Sequence, residues 1–96
     1  MENSILALPT LRGLSQFVRD TLCDRDRLDP HQTPFFRSPI AKRGKTTAVL
    51  FHVEGPRLLK SSALWVLDDH RVMFYDSTGS RFLDVQLSES PPEKEI

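Results

Sequence analysis

The sequence predicts an α+β fold: one N-terminal amphipathic helix packed on a mainly antiparallel sheet of about four strands, joined as a β-meander. Three observations predict it. Leu11, Leu14, Val18 and Leu22 recur at helical spacing. From Thr46 onward the chain turns to short apolar and β-branched runs. Asp69-His70 and Thr78-Gly79 then sit between those runs, where hairpins need their turns.

The helix is expected over about residues 9–24. Phe17 widens its apolar stripe, and Arg12, Ser15, Gln16 and Arg19 take the opposite face. Pro9 suits a first turn, because its missing N–H has no partner there. Asp29-Pro30 ends any helix that reaches it. Cys23 falls just past the stripe and reads as a small buried hydrophobe.

Residues 28–45 read as a connector, broken by Pro30, Pro34 and Pro39 and ending in the basic tip Lys42-Arg43-Gly44-Lys45. Phe35, Phe36 and Ile40 are too apolar for a free linker, so the connector is expected to lie on the domain. Strands follow within residues 46–87, at Thr46–Glu54, Ser62–Asp68, Arg71–Asp76 and Arg81–Leu87. Residues 88–96 form a polar, Pro-containing tail that is expected to be disordered, leaving 1–87 as a single domain.

Register carries the argument toward function. A two-residue loop at Asp69-His70 sets Trp65 opposite Phe74, and a turn at Thr78-Gly79 sets Phe74 opposite Leu83 and Val72 opposite Val85. Both turns also set an Asp opposite an Arg, Asp68 with Arg71 and Asp76 with Arg81. One face then collects Trp65, Leu67, Val72, Phe74, Leu83 and Val85, the side for the helix. The other collects Leu64, Val66, Met73, Tyr75 and Phe82 among Asp68, Arg71, Asp84 and Gln86. Five large apolar side chains are too many to leave in water. Either Phe35, Phe36 and Ile40 cover them, or another protein surface does, or they line a ligand groove.

Composition narrows the function classes. The chain has 96 residues with 13 Lys+Arg and 13 Asp+Glu, a formal net charge of zero. Residues 1–45 hold 8 Lys+Arg against 5 Asp+Glu, and residues 46–96 hold 5 against 8, an asymmetry that a solvated surface explains. A single cysteine excludes an internal disulfide and any zinc site built on a Cys pair. With no signal-peptide pattern and no apolar run near ~20 residues, a cytoplasmic location without membrane contact is expected.

The chemistry-bearing residues point away from catalysis. Gly44-Lys45-Thr46 matches the end of a phosphate-binding loop, but Pro39 stands where the leading Gly belongs, and a strand follows in place of a helix. His31, His52 and His70 have no metal-ligand spacing, and no cofactor motif is present. Asp68-Asp69-His70 and Asp76-Ser77-Thr78-Gly79-Ser80 read as turn chemistry. The expectation is a non-catalytic interaction or regulatory module, homodimeric in one form, with Leu64, Val66, Met73, Tyr75 and Phe82 as interface candidates. The alternatives are a nucleic-acid binder using Arg37, Lys42, Arg43 and Lys45, and a ligand binder or enzyme with a groove between connector and sheet that uses His52 or Tyr75.

Overall fold

The computed structural model describes residues 2–96. Strand β1 spans Glu2–Ala7, helix α1 Leu11–Asp26, and strands β2 to β6 span Phe35–Lys42, Lys45–Glu54, Lys60–Val66, Arg71–Tyr75 and Arg81–Glu89. A single 3-10 turn, Glu93–Glu95, closes the chain. The strands join one six-stranded mixed sheet in the order β1-β6-β5-β4-β3-β2. Neighbours are antiparallel except β1, which lies parallel to β6. The helix-on-sheet arrangement is the predicted one. The count of about four strands is corrected to six, and the sheet is not purely a meander.

The helix starts where the sequence offers a cap. Thr10 is extended, and its hydroxyl accepts the Gly13 N–H at 3.0 Å, so the helix begins at Leu11 and leaves Pro9 outside. It ends when Arg27 turns left-handed at φ 57° and the Leu28 N–H reaches back to the Cys23 carbonyl. Leu11, Leu14, Val18, Leu22 and Cys23 are buried against the sheet.

Two rows across the sheet meet that helix: Val49, Trp65, Val72 and Val85, then Phe51, Ala63, Phe74 and Leu83. Phe17 completes the contact with its ring edge-on to Phe74, 5.9 Å between centroids. Trp65 therefore faces Val72, and Phe74 faces Ala63, so the expected Trp65–Phe74 cross-strand pair is corrected. The loop is four residues, Leu67–His70, where two were expected, which slides the pairing by two residues. An even slide keeps every side chain on its face, so the core face survives the change.

The connector is also corrected. Residues 35–42 form β2, an edge strand that pairs with β3 through a two-residue turn at Arg43-Gly44, φ 54° and 77°. Two positive φ values suit the right-handed twist of a hairpin. Pro39 is tolerated because an edge strand needs only one side of its ladder. Residues 88–96 differ from a disordered tail as well. β6 continues to Glu89, Pro91 is buried, the Glu95 carboxylate accepts the Leu11 N–H at 2.7 Å, and Ile96 packs on the core. That carboxylate satisfies an orphan donor at the helix start, which holds the tail down.

Candidate functional site

The second sheet face carries three rows of side chains, and among the described residues no element lies over it. The first row runs Ile40, Ala48, Val66, Arg71, Gln86 and Ile5. The second runs Ser38, Leu50, Leu64, Met73, Asp84 and Asn3. The third runs Phe36, His52, Ser62, Tyr75 and Arg81. Alternation along each strand produces the rows, since the residues between them face the helix.

Leu64, Val66, Met73 and Tyr75 lie on this face as expected, each half-buried by its neighbours. Phe82 does not, and its assignment is corrected. A β-bulge between Phe74 and Tyr75 sets Tyr75 opposite Arg81 and turns Phe82 to the helix side. There its ring lies 6.0 Å from that of Phe74, under the Arg25 guanidinium at 4.7 Å. The proposed cover is corrected too. Phe36 and Ile40 extend the face as part of β2 and are 42% and 43% exposed, while Phe35 sits on the helix side, stacked on Phe51. Leu50, Phe36, Ile40 and Ile5 join the apolar set. The Leu50 signal was the alternation within Thr46–Glu54.

One charged pair interrupts the apolar rows. Asp84 is 6% exposed, and its carboxylate takes two bonds from Arg71 Nε, at 2.8 and 2.9 Å, and a third from Arg71 Nη2. Arg81 stands 3.8 Å away. The Arg71 hydrogen bond holds the Asp84 carboxyl below the usual aspartate range, and Asp84 in turn raises the Arg71 guanidinium. The expected Asp68–Arg71 and Asp76–Arg81 pairs are replaced by Arg71–Asp84, Arg81–Asp84 and Arg25–Asp76. Beside this pair the face dips into a groove of about 560 Å3 lined by Asn3, Ser4, Ile5, Arg71, Asp84 and Gln86.

His52 stacks on Phe36 at 4.8 Å, and its Nε2 lies 3.2 Å from Glu54 Oε2. Ser62 separates it from Tyr75 in the row. The hydroxyl-rich turn is self-satisfied. Asp76 Oδ1 accepts the Thr78 and Ser80 N–H groups, each at 3.0 Å, and Thr78 Oγ1 at 2.7 Å, so those donors are committed within the chain. The Thr78 bonds hold the Asp76 carboxyl below its ordinary range. Cys23 is buried, and burial pushes its thiol up, away from a reactive thiolate.

The four polyanion candidates do not form one surface. Lys42, Arg43 and Lys45 surround the β2–β3 turn, while Arg37 lies on the helix side of β2, opposite Phe51. Among the described residues no group of His, Cys, Asp and Glu has metal-site geometry, and no helix is long and apolar enough to cross a membrane. No family model, curated protein or solved structure matches the chain.

Proposed function

We propose that this chain is a small non-catalytic interaction module, that its open sheet face is the working surface, and that the occupant of the face is a second copy of the chain. The observation that carries this reading is a six-stranded face with a helix on its opposite side only. Ile40, Leu50, Leu64, Val66, Met73 and Tyr75 spread across four adjacent strands of it. At ~4.8 Å per strand and ~3.3 Å per residue, the face covers roughly 500 Å2 in projection. Side-chain relief brings that toward the ~800 Å2 per partner of a standard stable interface.

The electrostatics favour a copy over a charged partner. Arg71 and Asp84 neutralise one another within the face and Arg81 stands at the end of its third row, so the apolar centre docks without a complementary charge from outside. A two-fold pairing of identical sheet faces, apolar at the centre, then completes a four-layer helix–sheet–sheet–helix assembly.

Sedimentation velocity over a concentration series tests the reading with the parent and Leu64→Glu. Leu64 is half-buried at the centre of the face, so a glutamate there reaches water in a lone chain and is sealed without a partner in a dimer. The parent is expected to sediment as a dimer and the variant as a folded monomer. A parent that stays monomeric at every concentration, or a variant that dimerises as well as the parent, contradicts the proposal.

A further inference from the structure

We propose that the groove between α1 and β2, on the helix side of the sheet, binds the phosphate group of a small phosphomonoester through Arg12, Arg19 and Arg37. The groove holds about 520 Å3 and is lined by these arginines with Ser15, Gln16 and Phe35, and Leu11 and Glu95 at one end. That volume falls within the range of small-molecule sites. Arg12 and Arg19 stand seven residues apart on one helix face with Ser15 between them, and β2 brings Arg37 alongside.

The chain leaves these cations uncommitted. Among the described residues, none of the three has a carboxylate within ion-pair distance, whereas Arg25, Arg71 and Arg81 each do. Arg37 Nη1 reaches only Ser15 Oγ, at 3.5 Å. The Arg19 guanidinium lies 5.1 Å over the Phe35 ring, and its Nε is buried with no acceptor among the described residues. The nearby Glu95 carboxylate is turned to the Leu11 N–H. Three guanidinium groups share the concavity with the single Glu95 carboxylate, which leaves an excess of positive charge for an anion to offset, and the orphaned Arg19 donor adds to the cost of leaving it empty.

The donor set selects the ligand class. A phosphomonoester brings nearly two negative charges and three terminal oxygens, enough to engage three arginines, where a carboxylate has two oxygens and one charge. A polynucleotide needs a continuous basic track. The remaining candidates, Lys42, Arg43 and Lys45, lie at the far end of the β2–β3 hairpin, so the arginine groove favours a compact ligand.

Nitrogen-detected NMR of the arginine Nε–H groups tests this with three probes at about 150 mM salt: inorganic phosphate, glycerol 3-phosphate and a single-stranded oligonucleotide. Glycerol 3-phosphate is expected to give saturable shifts at Arg12, Arg19 and Arg37, with inorganic phosphate weaker at the same groups. Arg12→Gln and Arg37→Gln, both at exposed positions, should melt like the parent and weaken binding at least about tenfold. Arg57→Gln, on the β3–β4 loop outside the groove, should bind like the parent. Non-saturable shifts, or an oligonucleotide that binds more tightly than glycerol 3-phosphate and moves the Arg43 Nε–H on the β2–β3 turn, overturn the proposal.

Discussion

Arg71 on β5 and Asp84 on β6 form a forked ion pair on the face that no helix covers, with the carboxylate almost sealed from water. A buried carboxylate survives only with its hydrogen bonds filled, and Arg71 fills them. The folded-state pKa of Asp84 is therefore lowered. Such a group contributes stability above the unfolded aspartate pKa of about 3.9 and loses it as pH falls through the lower folded value. Acid unfolding followed by Trp65 fluorescence should show stability falling below about pH 4, with Asp84→Asn flattening that part of the profile. An unchanged acid profile in Asp84→Asn contradicts the assignment.

Trp65 is 1% exposed in the core, yet its indole N–H has no acceptor among the described residues. Trp65→Ala should cost about 3–5 kcal/mol, enough to unfold most of the population. Trp65→Phe removes the unpaired donor together with some volume, and a donor left unpaired costs about 1–3 kcal/mol. The two effects oppose, so Trp65→Phe should fall within about 1 kcal/mol of the parent by urea titration. A Phe variant as damaged as the Ala variant points to a hydrogen-bonded indole.

The C-terminal segment closes over the helix start through Glu95 and Ile96. Truncation after Ser90 removes both the cap and the packed side chain, and should cost roughly 1–3 kcal/mol. Thermal melts of the two lengths check this, and equal melting temperatures contradict the docked arrangement.

Most of the helix and the core face were legible because their signals are periodic. Leu11, Leu14, Val18 and Leu22 needed only the helical repeat, and Val72, Phe74, Leu83 and Val85 kept their side through a two-residue slide of the first hairpin. Sequence and structure differ where no periodic signal exists. β1 is an edge strand whose residues are nearly all exposed, so it shows no alternation. β2 hid behind Pro39, which reads as a loop unless the strand is known to be an edge. Phe82 lies on the helix side because a bulge inserts one residue and reverses parity, which turn composition does not announce. The arginine groove was invisible for another reason. Arg12 and Arg19 read as a solvated helix face until β2 brings Arg37 beside them.

The β2–β3 turn offers a local test of the hairpin itself. Arg43 holds φ 54° at the first central position, where asparagine is favoured and a long side chain is strained. Arg43→Asn should therefore stabilise the chain by about 0.5–1 kcal/mol, read as a higher urea midpoint. Destabilisation contradicts a turn with two positive φ values.

In the proposed dimer two copies meet through the open sheet face. An isotope-filtered nuclear Overhauser experiment on a mixture of labelled and unlabelled chains tests it most directly. Cross-copy contacts are expected from the methyl groups of Leu50, Leu64 and Met73, and none from Val18 or Leu22 beneath the helix. A mixture with no cross-copy contacts to the methyl groups of those three residues, or with contacts confined to the helix side, contradicts it.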